Sequence, residues 1–493
     1  MSALAKETGV DVNVIDYEKT LPLSDIQSDE VAPIVQDWDE KEEKKLKFKL
    51  DTILIPILGL AFFALQLDRG NISAALTSTI TEDLDITTNQ INIGSQLLSA
   101  GIVISEIPSN VIMQRVGPQR WLSVQIFAWG LVATFQSFIK SYPAYLVTRF
   151  LLGLLEGGFI PGALYYLSTW YKREETSLRV TLFFFGQMFS GATSSLISAG
   201  LLTLSGKRGL AGWRWIFLVE GVITLFIGVI FVLLIPPKVG DGRPLVSGGR
   251  WSYFTPRESH IATQRVLLDD PRKATGHLKI TGWDILKTIR QPRVIQHFFI
   301  TLVAMSGFQG LTQYTPSLIK SFGFSAVRAN ALASVPVYCG MLWILILSYL
   351  ADKVGHRGPF VLIAITWNVI SYACLRVTPM TSSQWHRYGV IAVANVSYAS
   401  MHILNVGWLS VYCRSPQERS VAMALVVMAA NCAGISGSQI FRTEDRPLYH
   451  RGLTAICILA GASWVLALAL NLQNFFLHRQ RKSEKEAPVV GDV

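Results

Sequence analysis

Two oppositely charged side chains, Arg149 and Glu156, lie inside an apolar segment that runs from about Tyr145 to Tyr171. The segment is long enough to cross a bilayer as a helix. On a helix their spacing is almost two full turns, so both side chains point from the same face. An ionisable group at the centre of a membrane helix costs about 2.5–3.5 kcal/mol, so it faces a polar cavity or a partner. We expect either a cavity that binds an anion and a proton, or a structural ion pair to a neighbouring helix.

The composition indicates a polytopic membrane protein. Half of the residues are hydrophobic and 16% are charged, whereas soluble proteins average about 25% charged residues. The five cysteines lie in or beside apolar stretches without CxxC or CxxH spacing, so neither a disulfide framework nor a metal site is predicted. The net charge of +10 does not indicate a nucleic-acid partner, because the basic residues flank apolar segments. The sequence contains no HExxH, GxSxG or GxxxxGK[ST] motif, so we expect neither an enzyme nor direct ATP drive, and no cofactor.

Apolar spans divide the chain into two halves. We predict an all-α membrane protein with twelve transmembrane helices in two six-helix halves. The predicted spans are 51–75, 91–113, 121–139, 145–170, 178–203, 213–236, 294–319, 328–351, 359–377, 387–411, 419–440 and 452–477. The predicted regions are a disordered cytosolic tail (1–48), an N-terminal half (49–236), a cytosolic linker with short helices (237–291), a C-terminal half (292–478) and a cytosolic C-terminal tail (479–493). In the linker, Thr255, Pro256 and Glu258 predict the capped start of a helix.

The positions of the basic residues predict the orientation. The connections after spans 2, 4, 8 and 10 are basic, and so is the tail after span 12. The positive-inside rule therefore places these connections and both termini in the cytosol. One opposite connection, 205–214, contains Lys207, Arg208 and Arg214, and the rule does not explain it.

Two turns repeat each other six spans apart. After span 2 the chain has Arg115, Gly117 and Arg120, and after span 8 it has Asp352, Gly355 and Arg357. Each glycine permits a tight turn, and the basic groups can meet helix C-termini or carboxylates. We expect both turns to act as gating loops.

At these turns the sequence resembles the major facilitator superfamily, whose loop signature between helices 2 and 3 is duplicated between helices 8 and 9. The first copy has Gln114 where that superfamily usually has aspartate, so a charge relay is not expected there. Three further stretches resemble the anion:cation symporter family, and in particular its fungal allantoate permease branch. They are Leu67-Asp68-Arg69-Gly70-Asn71, Arg149 to Gly162, and Gly212-Trp213-Arg214-Trp215 with Glu220-Gly221.

The resemblance implies a proton-driven symporter that imports a small organic anion. Relatives in that branch carry allantoate, nicotinate, pantothenate, biotin, cysteine, or sulfonates and sulfate. The resemblance assigns anion binding to Arg69 and Arg149, and proton coupling to Asp68 and Glu156. Arginine offers carboxylates and sulfonates a planar fork of donors. The resemblance also implies the plasma membrane, although an organelle membrane stays open, and we expect a monomer.

Polar side chains in other spans are candidates for substrate contacts. Asn71 is either cavity lining or a helix–helix contact. In the C-terminal half we select Gln309, Gln313 and His402 for substrate selectivity, with hydrogen bonds between helices as the alternative. Two other functions stay open. A nutrient receptor would bind the substrate without accumulating it, and a proton-antiport exporter would move it in the opposite direction.

Overall fold

The computed structural model describes residues 36–269, 281–379, 381–397, 400–413, 416–445 and 449–486. In these ranges the secondary structure is helical. The twelve spans are Glu40–Ala75, Thr88–Val116, Pro118–Phe135, Tyr142–Trp170, Arg173–Leu202, Gly212–Leu234, Pro292–Ser321, Ala326–Val354, Arg357–Val377, Gln384–Tyr412, Pro416–Gly437 and His450–Glu486. Shorter helices lie at Ile80–Asp83, Gln136–Phe138, Lys207–Gly209, Leu245–Ser247, Pro256–Asp269, Gly282–Ile289 and Thr443–Asp445.

The twelve-span architecture agrees with the prediction. Among the described residues, ten helices are long and apolar enough to cross a membrane. Span 3 (Pro118–Phe135) and span 11 (Pro416–Gly437) complete the set, and the apolar part of span 11 is Val421–Gly437. Span 3 packs on span 6, and span 11 packs on span 7.

The two halves repeat one packing scheme. In the N-terminal half, span 1 packs on spans 5 and 6, span 2 on span 4, and span 3 on span 6. In the C-terminal half the same pairs recur six spans later: span 7 on spans 11 and 12, span 8 on span 10, and span 9 on span 12. Between the halves, span 2 meets span 11, span 5 meets span 8, and span 1 meets span 7. The repeat seen in the two turns therefore extends to the whole fold.

Span 4 is interrupted in its middle. Its first helix ends at Glu156 and its second helix begins at Phe159. Gly158, between them, has a φ of 82°. A side chain at Gly157 would come 1.9 Å from Ser105 Oγ, so glycine is required where span 2 approaches. The interruption places Glu156 at a helix end. In span 10 the first helix ends at Val396.

The side chain of Gln125 on span 3 supports the interruption of span 4. Its Nε2 donates hydrogen bonds to the carbonyl oxygens of Leu155, at 3.0 Å, and Gly157, at 2.9 Å. Carbonyl groups without a helical partner are costly in a membrane interior. The amide of Gln125 therefore stabilises the broken helix next to Glu156.

The first span begins earlier than predicted. Its helix starts at Glu40 with Asp39 as its N-cap, so residues 40–48 are helical and not part of a disordered tail. Residues 1–35 of that predicted tail lie outside the described residues. The predicted linker helix is present at Pro256–Asp269, and Thr255 and Glu258 form the expected reciprocal cap.

The linker helix Pro256–Asp269 is held against the N-terminal half by charged side chains. Arg265 is fully buried, and its Nη1 lies 3.1 Å from Glu175 of span 5 and 3.6 Å from Glu43 of span 1. Its Nη2 donates to the carbonyl of Trp170 at 3.0 Å. Lys49 of span 1 pairs with Glu258 at 2.8 Å. We call the membrane surface that carries this helix the linker face, and the opposite surface the far face.

Hydrogen bonds join the two halves towards the far face. Lys320 donates to the carbonyl of Thr77 at 2.8 Å. The Asn92 amide donates to the carbonyl of Phe441 at 2.9 Å, and its oxygen accepts a hydrogen bond from the Tyr314 hydroxyl. These contacts hold span 2 and the segment after span 1 against span 7 and the segment after span 11, so the halves are closed together at the far face.

The two repeated turns share a glycine with positive φ but differ in backbone conformation and in side-chain contacts. Gly117 has φ 95° and ψ 142°, whereas Gly355 has φ 74° and ψ 5°. In the second turn Arg357 pairs with Asp352 at 2.7 Å. In the first turn Arg115 and Arg120 are exposed, and no ion pair to them is found within the described ranges. The gating role of both turns stays a prediction.

Candidate functional site

An ion pair between span 1 and span 4 forms the centre of the site. Arg69 Nε lies 2.6 Å from Glu156 Oε2, and the two side chains are 19% and 0% exposed. The other carboxylate oxygen, Glu156 Oε1, has no hydrogen-bond partner among the described residues. Arg69 is therefore the accessible member, and an anion that reaches it would compete with Glu156 for the guanidinium.

Arg149 lies behind this pair and is almost completely buried, with 1% of its surface exposed. Its guanidinium carbon lies 5.5 Å from the ring centre of Tyr145 and 5.4 Å from that of Phe217. Its Nη2 donates to Asn71 Oδ1 at 3.4 Å. Such cation–π contacts stabilise a desolvated guanidinium. Arg149 has no ion pair within the described part of the chain, so its positive charge stays available to the site.

In this conformation an ion pair joins span 4 to a neighbouring helix, as in the second of the two sequence-based alternatives. Glu156 is its anion and Arg69 of span 1 is its cation. Arg149 and Glu156 share a face of span 4, as their spacing predicts, and both are buried. Arg149 does not line an open cavity in this conformation. Asn71 acts as a helix–helix contact here, because its amide oxygen accepts from Arg149.

Asp68 points away from Arg69, its neighbour in sequence. Its side chain is fully buried, and Oδ2 accepts a hydrogen bond from the Thr224 hydroxyl of span 6 at 2.9 Å. Oδ1 has no hydrogen-bond partner in the described ranges, although Trp129 of span 3 lies beside this carboxylate. Glu156 is close enough to interact electrostatically with Asp68. Asp68 is therefore a carboxyl group in a dry environment next to the ion pair.

Sequence reasoning did not select two other buried carboxylates, Glu106 and Glu220. Glu106 of span 2 is 7% exposed and lies beside Asn431 of span 11, in the other half. Glu220 of span 6 is fully buried and accepts a hydrogen bond from the Ser198 hydroxyl at 3.0 Å. The available signal was an acidic residue inside an apolar span, the same signal that drew attention to Glu156.

The candidates from the C-terminal half are spread over several environments. Gln313 donates to Asn92 Oδ1 at 3.4 Å, so it belongs to the far-face closure. Gln309 lies against span 11, where a side chain at Gly437 would approach its Cβ at 3.0 Å. His402 is partly buried, and its Nδ1 has no hydrogen-bond partner among the described residues. Gln309 and Gln313 are one turn apart on span 7, and no hydrogen bond joins any two of these three side chains in the described ranges.

A histidine that was not selected has clear partners. His297 of span 7 is 1% exposed, and its Nδ1 lies 2.7 Å from Asn405 Oδ1 of span 10. The Asn405 amide also donates to Thr301 at 2.9 Å. These hydrogen bonds join spans 7 and 10, so His297 forms a helix–helix contact. Among the described residues no group of three or more His, Cys, Asp or Glu side chains could hold a metal ion.

Comparison with known families and sequences gives consistent results. A family model described as the Major Facilitator Superfamily matches residues 58–438. An uncharacterized transporter of Saccharomyces cerevisiae is 28% identical over 91% of this chain and 83% of its own length. An uncharacterized transporter of Schizosaccharomyces pombe is 28% identical over 91% and 89%. A candidate tartrate transporter of Agrobacterium vitis is 26% identical over 82% of each chain.

Solved structures of transporters share the fold. The xylose transporter XylE of E. coli, in a partially occluded inward-open conformation, superposes with a TM-score of 0.64 at 13% identity, covering 84% of this chain and 97% of that one. A bacterial homologue of the human lysosomal transporter Spinster gives a TM-score of 0.62 at 14% identity, covering 87% and 97%. At these identities the likeness concerns the fold alone.

Proposed function

This chain belongs to the Major Facilitator Superfamily, and from that premise we propose that it imports a small organic anion together with protons. It is a multi-pass membrane transporter and not an enzyme. Within the superfamily we assign it to the anion:cation symporter family and its allantoate permease branch. The residues that support this assignment are the Asp68-Arg69 pair, Arg149 with Glu156, and Glu220 of span 6.

The observation that carries the proposal is the ion pair between Arg69 and Glu156, 2.6 Å long and accessible only through Arg69. A carboxylate or sulfonate group can replace Glu156 on the guanidinium, because all three present similar acceptor oxygens. Glu156 would then be a buried anion without a cation, which is costly unless it takes up a proton. Anion binding and proton binding at Glu156 are thereby linked.

Arg149 supplies the second positive charge. It is desolvated and has no ion pair among the described residues, so it raises the electrostatic potential of the site for any anion that enters. Because Arg149 is buried, its charge would attract the anion towards the interior of the protein. The candidate tartrate transporter of Agrobacterium vitis makes a carboxylate a reasonable first choice of substrate. Sulfonates and sulfate are the alternative class of anion.

The cycle follows from alternating access between the two halves. We assign the linker face to the cytosol by the positive-inside rule, with both termini cytosolic and the protein in the plasma membrane. The far-face hydrogen bonds and the formed Arg69–Glu156 pair then suit a carrier that has released its substrate inward. Protonation of Glu156 at the opposite side would free Arg69 for the next anion.

The experiment is uptake of labelled anions by cells that express the chain, with and without a protonophore. The panel contains allantoate, nicotinate, pantothenate, cysteine, tartrate, sulfate and a sulfonate. We expect one of them to accumulate in a protonophore-sensitive manner. Glu156→Gln should lose accumulation and keep exchange of substrate, while the exposed control Glu82→Gln should behave like the wild type. Binding without accumulation would indicate a receptor, and proton-driven loss of substrate from the cells would indicate an exporter.

A further inference from the structure

Glu220 has no role in the cycle described above, although it is as deeply buried as Glu156. The Ser198 hydroxyl of span 5 donates to its Oε1 at 3.0 Å. Its Oε2 has no hydrogen-bond partner in the described ranges. Those ranges also contain no ion-pair partner for this carboxyl group. A buried carboxyl group without a cation is much less costly as the neutral acid than as the anion, so Glu220 is suited to holding a proton.

One face of span 6 connects Glu220 to the rest of the site. Phe217, Glu220 and Thr224 are three and four residues apart and lie on the same side of the helix. Phe217 contacts the Arg149 guanidinium at 5.4 Å, and Thr224 donates to Asp68 at 2.9 Å. Glu220 lies between them and is close enough to Asp68 for their charges to repel each other. This face therefore brings Glu220 and Asp68 into one dry pocket.

The groups that surround Glu220 come from three spans. Span 5 contributes Ser198, and span 1 contributes Asp68. Span 3 packs at the next residue, where a side chain on Gly221 would meet Thr134 at 2.5 Å. Asp68 is the titratable neighbour in this set, so the proton affinity of Glu220 depends on whether Asp68 carries a proton.

The carboxyl groups differ in depth. Glu220 follows the far-face end of span 6, at Gly212, by eight residues, which is about 12 Å along a helix. Glu156 follows the far-face end of span 4, at Tyr142, by fourteen residues, or about 21 Å. Asp68 precedes the far-face end of span 1 by seven residues, or about 10 Å. Asp68 and Glu220 thus lie at similar distances from the far-face ends of their spans, next to the Arg69 end of the central ion pair.

We propose that Glu220 holds a proton and exchanges it with Asp68, and through Asp68 with Glu156, along a route inside the N-terminal half. In each transfer the O–H bond of the Glu220 acid breaks, a new O–H bond forms on Asp68, and Glu220 is left as the carboxylate until the reverse transfer restores the acid. The anion moves between the two halves, so protons and substrate have separate routes. This inference rests on the proposed function.

Glu220→Gln tests the inference because glutamine keeps the shape of the side chain and an oxygen that accepts from Ser198, but cannot carry the proton. We expect substrate exchange in the absence of a proton gradient to stay within twofold of the wild type, and proton-driven accumulation to fall tenfold or more. Ser198→Ala, which keeps the acid, should retain most of the accumulation. Wild-type accumulation by Glu220→Gln would show that Glu220 only forms a structural hydrogen bond, and would overturn the inference.

A second variant covers the case in which Glu220→Gln does not fold. Glu220→Asp keeps an acid on a shorter side chain, and we expect it to shift the pH dependence of uptake. An unchanged pH profile would count against a role in proton transfer. The proposed function fails separately: if the wild type shows no proton-driven accumulation, or if Glu156→Gln accumulates normally, both proposals fall. Normal accumulation by Glu220→Gln alone removes only the proton route.

Discussion

The two halves of the molecule repeat the same helix packing, but they bury different chemical groups. The buried polar side chains of the N-terminal half include five ionisable groups that are charged at neutral pH in water: Asp68, Glu106, Arg149, Glu156 and Glu220. In the described residues of the C-terminal half, the buried polar side chains are amides, hydroxyls and the imidazole of His297. None of them is Asp, Glu, Lys or Arg.

The difference separates two tasks that one fold has to perform. Charge in a membrane interior is costly and needs a compensating partner. Here the partners of Asp68, Glu156 and Glu220 lie within the N-terminal half, while Glu106 also lies beside Asn431 of the other half. The neutral side chains of the C-terminal half can form and break hydrogen bonds at a smaller cost. We infer that the N-terminal half handles the charges of the anion and the protons, and that the C-terminal half provides selectivity and moves against it.

The largest effect that would test this division is expected at the central ion pair. Arg69→Gln leaves Glu156 buried without its cation, and breaking a buried pair costs about 3–5 kcal/mol. The double variant Arg69→Gln/Glu156→Gln should recover most of the stability, because neither side chain is then charged, while transport stays abolished in both. Thermal unfolding in detergent and uptake measure the two properties.

The matched control for this prediction lies in the C-terminal half. Arg357 and Asp352 form an ion pair of 2.7 Å whose side chains are 32% and 63% exposed. An exposed pair contributes about 0–1 kcal/mol, so Arg357→Gln should change stability far less than Arg69→Gln. Equal losses from the two substitutions would show that burial of charge does not distinguish the halves.

A smaller effect is expected from a neutral side chain of the C-terminal half. His402→Ala should change the KM for the anion by about threefold to tenfold, the value of one hydrogen bond of about 0.5–1.5 kcal/mol. It should leave the accumulation ratio unchanged, because that ratio depends on proton coupling. If accumulation collapses instead, while KM is unaltered, His402 takes part in coupling and the division between the halves is wrong.

The smallest effect concerns the docking of the linker helix on the N-terminal half. The hydrogen bond from Arg257 lowers the pKa of Asp37. Burial raises the pKa of Glu258, but hydrogen bonds from Lys49 and Thr255 outweigh burial, so the net pKa is lowered. Groups with a lowered pKa in the folded state stabilise it above their unfolded pKa, which is about 4, and lose this effect as the pH falls through the folded value.

Hydrogen exchange of residues 256–269 should therefore be slow at neutral pH and faster in acid, once the lower exchange rate of amides in acid is corrected for. Arg257→Gln removes the partner of Asp37, so the variant should show a weaker pH dependence. An identical pH dependence in the variant and the wild type would show that this ion pair does not contribute to docking.

The sequence was sufficient for the architecture and for the shared face of Arg149 and Glu156 on span 4. Long apolar segments and the reciprocal cap at Thr255 and Glu258 depend on local composition, so they can be read directly. The partner of Glu156 could not be predicted, because spacing along span 4 determines a shared face and not which distant helix packs on it. The burial of Arg149 could not be predicted for the same reason, because the side chain that covers its guanidinium, Phe217, comes from span 6.

The fully buried Arg265 has a consequence for how the protein is made. Its partners Glu43 and Glu175, and the linker helix that carries it, all precede span 7 in the chain. Arg265, Glu43 and Glu175 are therefore all synthesised before the C-terminal half. Domains generally fold as units during synthesis. The ion pairs of Arg265 can therefore stabilise the folded N-terminal half before the later spans are made, and those spans then pack against it.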